Sequence, residues 1–224
     1  MQNMDFTMYE TLLQLPLFQG LSKNDITEIF TKVKFHFQKY TAGEYLYKQD
    51  DRCCEVCFII SGTVMTETVS RNRTYTFCEV LPTPSVIELY SLFGISPTYQ
   101  ASYRALTETS TLTINKQYLL EQLNNYIPCG FNFSNIICTR GQYLYQRIWS
   151  DTIGDLRTRF IQFVLQRSNR PAGQKIIRIK MEDLASLLTD RRINVSRMLN
   201  ELQNNGLIKL RRKEIEIPAF EELL

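Results

Sequence analysis

The chain has 224 residues, with 26 Lys and Arg against 23 Asp and Glu and a single histidine. Hydrophobic residues make up 44% and charged residues 22%, the composition of a globular protein with enough chain for one large core or two smaller ones. The lone His36 removes whole classes of chemistry: a Ser-His-Asp hydrolase would have to be built on it, and a metal cage made from several histidines cannot be assembled.

No apolar run reaches the roughly 18–20 residues that cross a bilayer. The opening segment MQNMDFTMYETLLQLPLF lacks a basic stretch followed by an apolar one. A cytoplasmic protein with no membrane partner is expected, its cysteines (Cys53, Cys54, Cys57, Cys78, Cys129, Cys138) free thiols. No P-loop, GxGxxG or paired CxxC motif appears, so a non-enzymatic protein is expected. Charge is uneven: residues 1–150 carry 12 basic and 13 acidic side chains, residues 151–224 carry 14 and 10, and residues 178–213 carry 9 and 4. A localised basic excess suits a polyanionic partner.

In chain order, residues 5–15 read as a short helix ending before Pro16. Ser22 is placed to cap a second, in which Ile26, Ile29, Phe30 and Val33 recur at helical spacing. From Lys34 the period changes to two, and Lys34–Tyr40 alternates as a strand. Further strands are read at residues 45–48, 56–60, 63–69, 74–81, 101–105 and 110–114, with Gly43, Gly62 and the Arg71-Asn72-Arg73 tip at turns between them. Short strands repeating every 8–12 residues or so argue for a sandwich or small barrel.

Beyond Ile114 the strand signal stops. Lys116–Asn124 reads as a short helix, Asn125–Cys129 as a loop around Pro128, and residues 131–150 as a longer helix. Ile137, Gly141, Leu144 and Ile148 fall at i, i+4, i+7 and i+11, a narrow stripe suited to packing against its own domain or against a twin helix in a homodimer. Gly141 costs a helix about 1 kcal/mol relative to Ala, which close approach of two helices would offset. Asp155–Arg167 is a further amphipathic helix. Tyr143, Tyr145, Trp149, Phe160 and Phe163 gather around this junction, as core or dimer packing.

The C-terminal third carries the strongest pattern. Lys175–Lys180 reads as a strand, Glu182–Leu188 as a short helix, Thr189–Arg191 as a break, and Arg192–Asn204 as a second helix stopped by Asn205-Gly206. Leu207–Leu210 and Glu214–Ile217 form a hairpin around Arg211, Arg212 and Lys213. Helix, turn, helix, hairpin is the winged helix-turn-helix order. If Val195, Met198, Leu199 and Leu202 face a core, then Ile193, Ser196, Arg197 and Asn200 face outward, with Arg191 and Arg192 at the helix start. Such a helix can enter a major groove of double-stranded DNA. Arg192 and Arg197 can each make a bidentate pair to guanine, Ile193 can meet a thymine methyl, and Arg211, Arg212 and Lys213 can hold phosphates. The alternative is a small-molecule sensor or regulatory subunit whose C-terminal domain contacts protein.

These residues carry a resemblance. Asp183-Leu184-Ala185-Ser186-Leu187-Leu188, Asn194-Val195-Ser196-Arg197-Met198-Leu199-Asn200-Glu201-Leu202 and Gly206-Leu207-Ile208 resemble the catabolite-activator/fumarate–nitrate-reductase (CRP/FNR) family of bacterial transcription regulators. Gly43-Glu44-Tyr45-Leu46, Ile59-Ile60-Ser61-Gly62-Thr63-Val64, Glu88-Leu89 and Tyr103-Arg104-Ala105-Leu106-Thr107 look like landmarks of that family's β-roll. The resemblance implies an α+β fold: an N-terminal β-roll of the double-stranded jelly-roll type (residues 1–130), a long dimerisation helix (131–152) and a winged helix-turn-helix (153–224). It further implies a homodimer on a near-palindromic operator, RNA polymerase as a partner, and base reading from Arg192, Ile193 and Arg197. Ile193 departs from the acidic residue usual at its position, so a different preferred site is expected.

The effector pocket departs further. Relatives that bind cyclic nucleotide carry Gly-Glu-Leu and then Arg-Ser-Ala or Arg-Thr-Ala, where this chain has Ile87-Glu88-Leu89 and Tyr99-Gln100-Ala101. Glu88, Tyr99 and Gln100 are the expected effector residues. Without the arginine a buried cyclic phosphate lacks its compensating cation, so cyclic nucleotide is not expected and the effector stays unknown. Cys53-Cys54-Glu55-Val56-Cys57 invites comparison with relatives that hold an iron–sulfur cluster, but those relatives place their cysteines in an N-terminal extension. Here a strand-and-turn packing role is expected, with no cluster and no metal, and His36 reads as an edge histidine.

Overall fold

A computed structural model describes residues 6–121, 125–149 and 154–224. The chain runs α1 (Phe6–Gln14), α2 (Lys23–Lys32), β1 (Phe35–Tyr40), β2 (Tyr45–Tyr47), β3 (Glu55–Ser61), β4 (Val64–Val69), β5 (Tyr75–Leu81), β6 (Ser85–Ile87), β7 (Ser102–Ala105), β8 (Thr109–Asn115), α3 (Lys116–Glu121) and α4 (Ile127–Ile148). It continues through α5 (Leu156–Leu165), β9 (Lys175–Ile179), α6 (Met181–Leu187), α7 (Arg192–Asn204), β10 (Lys209–Arg211) and β11 (Glu214–Ile217). Two compact units emerge: residues up to Val64 with Leu81–Gln146, and Met65–Val80 with Arg147–Leu224.

In the first unit, β1, β8, β3 and β6 form an antiparallel sheet in that order, and β2 pairs with β7. β3 and β8 are buried along most of their length rather than on alternate residues: Val56, Cys57, Phe58, Ile59, Leu112 and Ile114 enter one core with Leu12 of α1, with Leu15 just after it, and with Ile26 and Ile29 of α2. Ser22 caps α2 reciprocally with Asp25: each side chain accepts the other residue's backbone N–H. Gly62 is required at its turn, since a Cβ there would lie 2.4 Å from the Glu108 carbonyl oxygen.

Several sequence expectations shift. β6 follows Pro84 and is only three residues long, too short to show alternation; it is defined by its pairing with Cys57–Ile59 of β3. The loop expected around Pro128 is the first turn of α4 instead. Proline fits there because a helix's first four N–H groups have no intrahelical acceptor. The helix expected over 116–124 is described to Glu121, and its last residues lie outside the described ones, as do Asp5 of the first expected helix and residues 150–152 of the expected dimerisation helix. The alternation of Lys34–Tyr40 does form β1, yet its Phe37 is exposed, so periodicity there marks the strand but not a buried face.

In the second unit the sheet order is β10, β11, β9, β5, β4. The β4–β5 hairpin, far away in sequence, thus supplies strands to the C-terminal unit. Tyr75 to Glu79 pair with Ile179 to Lys175 in antiparallel register. Phe77 of β5 is buried in one core with Phe160, Ile177, Val195, Leu199 and Ile215. At the last register pair, the Lys175 ammonium donates to the Glu79 carboxylate, and both side chains are nearly inaccessible, at 1% and 2%. Glu79 also accepts from the Asn169 backbone N–H at 3.0 Å, and Lys175 donates to the Ala172 carbonyl at 2.9 Å. Burial lowers the Lys175 pKa while the Glu79 charge opposes that shift. The Arg167 guanidinium adds a second tie, donating to the Tyr75 hydroxyl at 2.7 Å while lying over the Phe163 ring.

Removing one member of a buried pair strands the other charge, whereas removing both does not. Lys175→Met is therefore expected to destabilise the second unit by about 3–5 kcal/mol. Glu79→Met combined with Lys175→Met is expected to recover most of that loss, read from urea midpoints and from hydrogen exchange of β5 and β9 amides.

Candidate nucleic-acid interface

The recognition surface expected from the sequence falls on α7. Val195, Met198, Leu199 and Leu202 are buried along its back. Ile193, Arg197 and Asn200 are exposed and Ser196 is half-buried on its front, with Arg191 and Arg192 exposed at its start. Ile193 is 66% exposed, a large apolar side chain with no core to fill. Arg192 lies 3.4 Å from Glu182 in an exposed pair. Such pairs are worth about 0–1 kcal/mol, so a phosphate or base can displace the carboxylate.

The wing is the β10–β11 hairpin, its exposed Arg212-Lys213 tip carrying Lys213 at φ +59. Arg211 reaches Glu214 and Glu216 at 3.5 and 3.3 Å, while Arg197, Arg212 and Lys213 have no carboxylate partner among the described residues. Gln203 of α7 accepts the Leu210 backbone N–H at 2.8 Å and so anchors the wing to the helix.

The α6–α7 turn is more elaborate than the break visible in sequence. The Asp190 N–H bonds the Ala185 carbonyl and the Thr189 N–H bonds the Ser186 carbonyl, with Thr189 left-handed at φ +51. This is a Schellman motif, with a β-branched residue where glycine is usual, a strain of order 1–3 kcal/mol. The Asp190 carboxylate accepts from the Arg191 backbone N–H and from Asn194, both at 2.8 Å. Those bonds, with help from Arg159, hold its pKa below the usual carboxylate value. Arg159 of α5 donates to the Leu188 carbonyl at 2.8 Å and to Asp190 at 2.6 Å. Nothing in the local pattern of α5 singles out Arg159; only the folded contact reveals it.

In the first unit, the structure gives the expected effector residues other tasks. Glu88 is left-handed at φ +32. One of its carboxylate oxygens accepts from Ser91 Oγ and the Gln100 N–H, both at 2.7 Å. The other accepts from the Ala101 N–H at 3.0 Å and the Tyr103 hydroxyl at 2.7 Å. All four acceptor positions of the carboxylate are thus spent on the chain itself. Tyr99 is 1% exposed and stacks on Tyr47 with ring centroids 4.3 Å apart. Gln100 is exposed, its side chain donating to the Thr98 carbonyl.

Burial pushes the Cys57 thiol up to about 12 and raises Cys53 as well, which disfavours the thiolates that metal binding or redox sensing would need. Cys54 is exposed. Among the described residues no three His, Cys, Asp or Glu side chains gather to hold a metal ion, and no helix is long and apolar enough to cross a membrane.

On α4, the expected dimer stripe is open in part: Gly141, Leu144 and Ile148 are exposed and Ile137 is half-buried. The exposed face also carries Ile127, Phe131 and Tyr145, at 82%, 69% and 64% exposure. Ile127 was missed because the sequence reading began the helix at residue 131.

A β-roll unit and a winged helix-turn-helix unit in one chain define a two-domain DNA-binding regulator. The description "Cyclic nucleotide-binding domain" fits residues 37–126, and "Crp-like helix-turn-helix domain" fits residues 158–224, between them more than half of the chain. The chain belongs to the CRP/FNR family of transcription regulators, whose Crp-like helix-turn-helix members bind DNA as dimers.

Among solved structures, the sensor domain of the transcriptional regulator DNR from Pseudomonas aeruginosa is 20% identical, with 65% of this chain and 99% of that one covered at a TM-score of 0.50. The N-terminal domain of a transcriptional regulator from Streptomyces coelicolor A3(2) gives the same figures, 20%, 65%, 99% and 0.50. The Thermus thermophilus catabolite activator protein is 18% identical over 93% of this chain and 96% of that one, with a TM-score of 0.49. No curated protein matches the sequence.

Glu88→Ala is expected to destabilise the first unit by about 3 kcal/mol or more, because it leaves several donors unmet at ~1–3 kcal/mol for each buried one. Glu88→Gln, which keeps one acceptor oxygen, should cost less. Urea unfolding monitored by tyrosine fluorescence reads both.

Proposed function

We propose that this protein is a cytoplasmic, non-enzymatic, homodimeric transcription regulator that reads a near-palindromic DNA operator through α7. The observation that carries the reading is the division of that helix: a buried apolar back, and a front on which Ile193, Arg197 and Asn200 are exposed, with Arg192 in an exposed pair with Glu182, beside a cationic wing. Arg192 and Arg197 read guanines, Ile193 reads a thymine methyl, Arg191, Ser196 and Asn200 flank them, and Arg211, Arg212 and Lys213 hold phosphates. Half-sites would lie about 34–36 Å apart, one turn of the duplex, and RNA polymerase would be the downstream partner. The proposed division of labour is residues 1–130 for sensing, 131–152 for dimerisation and 153–224 for DNA binding.

The effector of the β-roll is not a cyclic nucleotide in this reading. Glu88 has no acceptor to spare, Tyr99 is buried, and no arginine stands at the place where the phosphate would need its cation.

Selection of bound duplexes from a random pool, followed by binding across a salt series, tests the proposal. Affinity should fall steeply with salt. Arg197→Ala should cost about 1–3 kcal/mol on the selected site and relax preference at one base pair, while Lys213→Ala weakens all sequences alike. Equal losses on every sequence for both variants would contradict these roles, and an absence of duplex binding at low salt would favour the protein-contact alternative.

The dimer seam gives a second expected outcome. A Cβ at Gly141 meets nothing within 4 Å in the single chain, so Gly141→Ala should stabilise an isolated helix by about 1 kcal/mol. If two α4 helices approach closely there, Gly141→Leu should instead raise the dimer dissociation constant, measured by sedimentation.

A further inference from the structure

We infer that Arg159 is the positioning residue of the recognition helix: its guanidinium clamps the α6–α7 turn and sets the angle at which Arg192 and Arg197 are offered to bases. The inference rests on the DNA-binding reading above. One planar group satisfies three acceptors, the Leu188 carbonyl at 2.8 Å, the Thr189 carbonyl at 3.3 Å and the Asp190 carboxylate at 2.6 Å. Leu188 is the C-cap of α6, where a helix leaves its last carbonyls without N–H partners. Asp190 precedes α7, and its other oxygen holds Arg191 N–H and Asn194 in the first turn of that helix. A single side chain from α5 therefore ties the end of one helix to the start of the next.

The turn between them needs such a clamp. Thr189 is held in a left-handed conformation that a β-branched residue rarely adopts, and such a conformation persists only where its surroundings over-determine it. Arg159 binds the Thr189 carbonyl itself. Both members of the ion pair are largely shielded, with side-chain exposures of 24% and 19%, so solvent and salt weaken it less than a surface pair. The Asp190 carboxylate is charged at neutral pH, and its hydrogen bonds to Asn194, Arg191 and Arg159 hold its pKa below the ordinary value. A lysine cannot replace it, because an ammonium lacks the fork that meets several acceptors at once.

Base reading requires placement to within about 0.5 Å and 10–20°, whereas phosphate attraction tolerates far more. Loss of the clamp should therefore fall on specificity rather than on general affinity. The experiment compares full-length wild type, Arg159→Gln, Arg159→Lys and Asp190→Asn on the selected operator and on a scrambled duplex, with salt slopes and thermal midpoints for each.

Arg159→Gln is expected to lower the operator-to-scrambled affinity ratio by ~10-fold or more, the size of one lost bidentate base contact. Scrambled-duplex affinity should change by less than ~3-fold, and the salt slope by less than one phosphate contact. Arg159→Lys should recover less than half of the ratio on a logarithmic scale, and it serves as the folded comparison if the glutamine variant is unstable. An unchanged ratio in both arginine variants, or equal losses on both duplexes, overturns the inference. Wild type that binds no duplex overturns the DNA-binding reading first, and so separates the two failures.

Discussion

A helix of thirteen residues can present side chains to a partner only if its opposite side is fixed. In this protein that fixing is the burial of Val195, Met198, Leu199 and Leu202 among Phe160, Ile177, Ile215 and Phe77. Each such side chain contributes roughly 1.5–3 kcal/mol when withdrawn from water, enough to outweigh the ordering cost of a short helix that would be marginal alone. The exposed arginines, the isoleucine beside them and the wing all take their positions from that core. Gln203 then couples the wing to the helix, and Arg159 couples the turn to α5, so the surface inherits rigidity from two directions.

The winged helix-turn-helix was legible because its signals are local and redundant. Apolar spacing in α7, the Asn205-Gly206 stop and the basic hairpin each point the same way. The β-roll strands were legible as a set but less so one by one. Three-residue β6 has no period to detect, and Pro128 reads as a breaker unless it is known to occupy a first helical turn. β1 alternates without burying Phe37, because alternation marks a pleated backbone and only tertiary packing decides which face is covered. Glu88 could be picked out as an unusual carboxylate, but its four donors come from residues 91, 100, 101 and 103, and no spacing rule brings those together. Arg159 and Asp190 lie thirty-one residues apart and were invisible for the same reason.

The first unit keeps the outline of a nucleotide-binding domain while filling its expected polar anchor with its own groups. Tyr99 is stacked on Tyr47, and Glu88 is saturated by backbone and hydroxyl donors of the chain itself. The thiols beside them point the same way: desolvation keeps Cys57 protonated at neutral pH. Under the proposed function, an effector of this domain would use chemistry other than an anion seated on Glu88 or a thiolate at Cys57.

The β4–β5 hairpin has a consequence for how the protein can be taken apart. Its strands belong by sequence to the region matched as a nucleotide-binding domain, yet Met65–Val80 folds with Arg147–Leu224. A cut at the apparent linker would remove two strands, one core phenylalanine and the partner of a buried lysine from the DNA-binding half. Gene fusions that graft this reader onto a foreign sensor would have to transplant both stretches of chain, and sensors lacking a compatible hairpin would make poor donors. Recombination that exchanged only one half of this chain would break the β5–β9 pairing, whereas exchange of the whole chain would keep it.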